Sequence, residues 1–211
     1  MSKELFDKNK YAIVKNVISK ELAQFSCDYL SLKKQCLATL IKTNNLVPHI
    51  HNLGILTGDP QVPGAYATYA DYAMEIILQN LKPNVEKITG YKLYSSYSYA
   101  RIYEKGNELV RHIDRMSCEI STTLNLGGDP WPIFLEPSGK KGKKGVKVDL
   151  SPGDMLVYKG CDIEHWREKF KGNICYQVFF HYRDVNFSKD MPDGKPHLGL
   201  PRGYNYSEYK E

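Results

Sequence analysis

Hydrophobic positions recur along this chain with two different periods, and the change between them divides it. Over residues 21–41 the apolar positions Leu22, Phe25, Tyr29, Leu32, Cys36, Leu37, Leu40 and Ile41 fall three and four apart. That spacing predicts a helix with one apolar stripe, expected to pack against the outside of whatever β-structure follows. Ser19 precedes it as an N-cap. Residues 70–81 repeat the helical pattern, Pro83 is expected to end it, and 85–89 predicts one more turn before Gly90. Ahead of the first helix, residues 11–18 are apolar and β-branched enough for a strand. Residues 44–65 are rich in Gly, Pro and Asn and predict a long irregular loop.

From residue 91 the period becomes two. Residues 93–103 read as a long strand with Tyr97, Tyr99, Arg101 and Tyr103 on one face. Further strands are expected at 119–126, 131–136, 146–150, 154–158 and 173–182, separated by turns such as Gly127-Gly128-Asp129 and Pro152-Gly153. After Asp184 the chain is rich in Pro and Gly and reads as irregular. Helices first and many short strands afterwards predict an α+β chain whose β part is closed or sandwiched. The division is 1–90 as helical support and loop, 91–183 as the β core and 184–211 as a tail, all one domain, with no internal repeat.

Composition adds little constraint. The chain has 211 residues, 42% of them hydrophobic and 25% charged, which suits a globular domain with a sizeable core. No apolar run approaches the roughly 20 residues needed to span a bilayer, and the N-terminus lacks an apolar signal core. A soluble, cytoplasmic protein is expected. Five cysteines, Cys27, Cys36, Cys118, Cys161 and Cys175, are odd in number and form no C-x-x-C pair, which points to reduced thiols. The net charge of +5 gathers at Lys140, Lys141, Lys143, Lys144 and Lys147, interleaved with glycines. That segment reads as a solvated hairpin tip; without aromatics it offers no platform for stacked bases, so nucleic acid is not an expected partner.

The candidate chemistry lies in three residues. His112 and Asp114 form an H-x-D triplet, and His165 follows about fifty residues on. In extended chain, residues i and i+2 point the same way, so His112 and Asp114 can reach one metal. With His165 arriving from another strand, they can form the two-His, one-carboxylate triad that occupies one face of a six-coordinate iron(II). H-x-D alone is common. His49 and His51 mimic an H-x-H pair but lack a later partner and are expected to border a site mouth at most.

In these segments the chain resembles the iron(II)/2-oxoglutarate-dependent oxygenases, and within them the prolyl-4-hydroxylase-like branch. The resemblance rests on Tyr103, Gly106, His112, Asp114 and His165 in their order and spacing, and is specific from about Tyr91 to Tyr182. Segments such as YSYARIYEKGNELVRHIDR and GDMLVYKGCDIEHWRE are similar to those of small oxygenases of marine phages and microbes, compatible with a virus-encoded protein acting in a host cytoplasm. The resemblance implies a double-stranded β-helix, or jelly roll, backed by N-terminal helices. It implies Fe(II), 2-oxoglutarate as co-substrate and O2, and a hydroxylase of a prolyl or other amino-acid residue or of a small metabolite. Halogenating relatives replace the metal-binding Asp with a small residue; Asp114 therefore favours hydroxylation.

The far carboxylate of 2-oxoglutarate needs a cation, ideally a bidentate arginine. Prolyl-hydroxylase-like enzymes place a basic residue nine or ten positions after the distal His, but Ile174 and Cys175 stand there. Arg101 is the expected anchor, sharing a face with Tyr103, whose family counterpart hydrogen-bonds 2-oxoglutarate; Gln177, two residues after Cys175, is expected to assist. Arg167 and Arg115 are the rivals. Tyr97, Tyr99, Trp131, Tyr158 and Trp166 are expected in the core rather than on a ligand wall, and Thr122 and Thr123 are possible co-substrate contacts. Two other functions fit the same residues less well: a nucleobase demethylase of the same chemistry, and a jelly-roll binding protein whose metal is structural or absent.

Overall fold

A computed structural model describes residues 3–46 and 53–186. His49, His51 and most of the expected C-terminal tail lie outside the described residues. Helix α1 (Lys3–Asn9) precedes strand β1 (Tyr11–Val14), which is shorter than the 11–18 expected. Helix α2 (Lys20–Lys42) begins where expected, with Ser19 Oγ accepting from the Leu22 amide at 3.2 Å.

The buried face of α2 is not the expected stripe. Ala23, Ser26, Cys27, Leu30 and Leu37 are buried, whereas Leu22, Phe25 and Leu32 are 38%, 59% and 60% exposed. Close approach decides this. The Cys27 thiol lies 3.0 Å from where a side chain on Gly127 would begin, so small residues, Ala23, Ser26 and Cys27, share the buried face with Leu30 and Leu37. Helix α3 (Tyr72–Thr89) likewise differs, since it runs through Pro83 instead of ending there. Proline costs the helix one backbone bond and a clash, about 3 kcal/mol. The buried row Met74, Ile77, Leu78, Leu81, Val85 continues past the proline and offsets that cost. Asp71 caps α3 by accepting from the Ala73 and Met74 amides, and Gly90 at φ 72° closes it.

The irregular stretch contains a short hairpin, β2 (Gly58–Asp59) and β3 (Val62–Pro63), followed by strand β4 (Tyr66–Tyr69). The remaining strands are β5 (Leu93–Glu104), β6 (Leu109–His112), β7 (Ile120–Gly128), β8 (Ile133–Glu136), β9 (Val146–Val148), β10 (Met155–Lys159), β11 (Glu164–Arg167) and β12 (Ile174–Asp184). They form a six-stranded sheet, β1-β10-β7-β12-β5-β4, and a four-stranded sheet, β6-β11-β8-β9, all antiparallel. This is a double-stranded β-helix.

Alternation along β5 divides two cores. Ala100 and Ile102 join Val178, Phe180 and Tyr182 of β12 and the helix side chains in one cluster. Tyr97, Tyr99, Arg101 and Tyr103 take the other face, toward the space between the sheets. None of the five cysteines forms a disulfide, and no described helix is long and apolar enough to cross a membrane.

Candidate metal centre

Register places the two histidines. On the four-stranded sheet His165 of β11 pairs with His112 of β6, and Arg167 pairs with Leu109. One residue, Trp166, therefore faces two, Val110 and Arg111, and the extra residue makes a β-bulge. The bulge turns Leu109 and His112 inward together, though two residues separate them. Asp114 lies just past the end of β6, its amide bonded to the Gly160 carbonyl at 2.8 Å.

The three side chains converge. Nε2 of His112 lies 3.6 Å and Nε2 of His165 lies 3.4 Å from Oδ1 of Asp114, and one ligand atom from each residue falls within 4.8 Å of the others. Nδ1 of His112 is 2.7 Å from the Val110 carbonyl, and Nδ1 of His165 is 3.3 Å from the Ile163 carbonyl. A carbonyl only accepts, so both Nδ1 atoms carry the proton and both Nε2 atoms present lone pairs. The Gln61 amide nitrogen, 2.6 Å from Nε2 of His112, donates to that lone pair. Burial alone would raise the Asp114 carboxyl; the surrounding histidines, His165 foremost, outweigh it and hold the group well below the usual carboxylate range. Two neutral imidazoles and one carboxylate with a shared open side are the donor set that suits a six-coordinate iron(II).

Gly160 packs against this set. A methyl there would sit 2.4 Å from the Cys118 carbonyl, 2.5 Å from Oδ2 of Asp114 and 2.6 Å from the Ser121 hydroxyl. Gly160→Ala is therefore expected to displace Asp114 and to lower divalent-metal affinity by about 10–100-fold, as measured by calorimetry. Unchanged affinity would mean that the Gly160 loop yields instead.

A cavity of about 640 Å³ opens beside the triad. Tyr97, Tyr99 and Tyr158, expected in the core, line it together with Tyr69, Phe179 and His181. Trp131 is a core residue, its ring 4.8 Å from that of Tyr103, and Trp166 stacks on Phe134 on the outer side of the smaller sheet. Thr122 bonds the Phe180 amide on the helix side; Thr123 faces the interior and bonds Gln177 at 3.1 Å.

The two candidate arginines differ in partners. Arg101 is 4% exposed, lines the cavity and is ion-paired with Asp59 of the β2–β3 hairpin. It also donates to Gln61 Oε1 at 2.8 Å and to the Tyr103 hydroxyl at 3.3 Å. Burial works against its charge, but Tyr103, Tyr99 and Asp59 more than offset this and raise its pKa. Arg167 is 1% exposed and donates to the Trp131 carbonyl, to Gln177 Oε1 at 3.2 Å and to the Thr123 hydroxyl at 3.4 Å. Among the described residues its Nε has no hydrogen-bond partner, and neither has that of Arg101. Burial lowers its pKa, and the groups opposing that, Cys175, Tyr103 and Tyr158, include no carboxylate. Gln177 spans from Arg167 to Asn125, and Arg115 is exposed and donates to the Tyr97 hydroxyl at 3.2 Å.

No protein-family model matches the sequence, and no curated protein matches it either. Solved structures do match in shape. A non-heme α-ketoglutarate-dependent epimerase of nogalamycin biosynthesis aligns over 90% of this chain and 88% of its own, with TM-score 0.65 and 13% identity. A protein of Streptomyces hygroscopicus, solved with nickel and 2-oxoglutarate, aligns over 87% and 86%, with TM-score 0.58 and 14% identity. A prolyl-4-hydroxylase of Pseudomonas putida aligns over 86% and 96%, with TM-score 0.54 and 15% identity. The fold is that of the iron(II)/2-oxoglutarate oxygenases.

Proposed function

We propose that the protein is an iron(II)/2-oxoglutarate-dependent oxygenase that hydroxylates a prolyl or other amino-acid residue, or a small metabolite. The observation that carries this reading is the convergence of His112 Nε2, His165 Nε2 and Asp114 Oδ1 beside the cavity of a jelly roll. Iron held there by His112, Asp114 and His165 would supply the centre for oxidation of the substrate by O2 coupled to conversion of 2-oxoglutarate to succinate and CO2. His112 and His165 serve as neutral ligands, fixed in their tautomers by the Val110 and Ile163 carbonyls. Asp114 supplies the negative charge.

The co-substrate's far carboxylate needs a buried cation, and by its partners Arg167 suits it better than Arg101, although Arg101 lines the cavity and Arg167 is not among the lining residues. Arg101 is already neutralised by Asp59, whereas Arg167 has hydrogen bonds but, among the described residues, no carboxylate. Tyr103, whose hydroxyl accepts from Arg101 and keeps its own proton, is near Arg167 as a further donor. Arg101 and Asp59 then belong to the wall that meets the substrate. The similar structures include an epimerase acting in antibiotic biosynthesis and a prolyl hydroxylase, so the fold is compatible with small-molecule and peptide substrates alike. The lysines of the loop 140–147 are not among the residues lining the cavity, which disfavours nucleobase demethylation.

The test is an anaerobic titration with Fe(II) and 2-oxoglutarate. A visible charge-transfer band that requires both is expected. Iron binding without the band would replace this reading by that of a metal-binding jelly roll.

A further inference from the structure

The fold treats the two oxygens of Asp114 differently. Oδ1 faces the imidazoles. Oδ2 accepts from the Ser121 hydroxyl at 2.6 Å and lies against Gly160. The one Ser121 hydroxyl proton has two acceptors in reach, Oδ2 at 2.6 Å and the Cys118 carbonyl at 3.0 Å, and the shorter contact, to the charged oxygen, takes it. The 3.0 Å contact between Ser121 Oγ and His181 Nδ1 is then a hydrogen bond that Nδ1–H donates. The result is a chain from His181 Nδ1–H to Ser121 Oγ–H to Asp114 Oδ2.

The members of this chain sit on rigid supports. Ser121 of β7 and His181 of β12 are direct cross-strand partners within the six-stranded sheet, and both are buried. The His181 ring also packs on Tyr97, with centroids 4.8 Å apart. Asp114, by contrast, lies between elements, after β6 and before the 3-10 turn Met116–Cys118. Its carboxylate is therefore oriented from the larger sheet, although the histidines that share its function come from the smaller one.

We propose that Ser121 and His181 are positioning residues that hold Asp114 to metal ligation through Oδ1 alone. This rests on the reading of the triad given above. With Oδ2 committed to Ser121, three protein atoms bind a six-coordinate ion and three positions remain. A carboxylate clasping with both oxygens leaves two, too few for a chelating keto acid and O2 together. The arrangement thus preserves the position at which O2 enters.

Cobalt(II) is the probe, because its visible spectrum reports coordination number without turnover. The wild-type protein and three variants are titrated with Co(II) alone, after the heat melts of their metal-free forms show that they fold. Ser121→Ala is expected to lose about 10–100-fold in affinity and to change the spectrum. His181→Phe, which keeps a ring against Tyr97 but no N–H, is expected to shift both in the same direction. His181→Asn, whose side-chain amide restores an N–H near Nδ1, is expected to return toward wild type. Wild-type affinity and spectrum in Ser121→Ala would overturn the proposal. So would an Asn variant no better than Phe, and that pair carries the test if Ser121→Ala does not fold. A wild-type protein that binds no Co(II) would instead overturn the triad reading beneath it.

Discussion

Replacing His165 with alanine is expected to lower iron(II) affinity by more than about 100-fold and to erase the absorption band of the 2-oxoglutarate chelate. Changes to the outer partners of metal ligands already cost about 10–100-fold, so removal of a ligand costs more. His165 is the member that ties the site across the sheet. It is buried between the rings of His112 and Tyr158, at centroid distances of 4.2 and 4.7 Å. Without it the remaining ligands, His112 and Asp114, come from one short segment, and the second imidazole of the set is lost. Asp114→Asn is the companion variant, keeping shape while removing charge, and should lose the band as well. Calorimetry and anaerobic absorption, on variants whose metal-free melts are sound, measure both effects. Retention of wild-type affinity in either variant would end the assignment of these residues to the metal.

The period-two run from residue 93 foretells both the long strand β5 and the shared face of Tyr97, Tyr99, Arg101 and Tyr103, because strand geometry is local. The H-x-D triplet and the distant His165 are legible for a related reason, since few donor sets suit iron(II) and the residue types name themselves. What stays hidden depends on contacts between distant segments. The α2 pattern is amphipathic on two adjoining faces, and the close approach of Cys27 to Gly127 belongs to the face that meets the sheet. Pro83 is a sound stop signal locally, overridden because Leu81 and Val85 are buried on either side of it. The ion pair of Arg101 with Asp59 joins residues 42 apart through a hairpin with no strong strand pattern. Ser121 and His181 are ordinary strand residues until register sets them side by side.

The same logic reverses the expected ranking of the arginines. Arg167→Ala is now expected to weaken 2-oxoglutarate binding on the order of 100-fold, and Arg101→Ala far less. Truncating one partner of a buried, hydrogen-bonded charge pair costs about 2–5 kcal/mol, and each 1.4 kcal/mol is about tenfold. That penalty applies to Arg167 if the co-substrate is its missing anion. For Arg101 the exposed loss falls on Asp59 and the hairpin, so the effect should appear in hairpin order and substrate binding. The sequence itself indicates a second variant. Cys175 is buried, raised in pKa by burial with Arg167 opposing, and stands at one of the two positions where similar enzymes carry their basic residue. Arg167→Ala combined with Cys175→Arg moves the guanidinium from β11 of the smaller sheet to β12 of the larger one at similar total volume. Partial recovery of 2-oxoglutarate affinity in the double variant, read by anaerobic titration against the single one, is the expected result. If Arg101→Ala instead shows the larger loss and the double variant recovers nothing, the carboxylate site lies on the Asp59 side of the cavity and Arg167 is a structural cation.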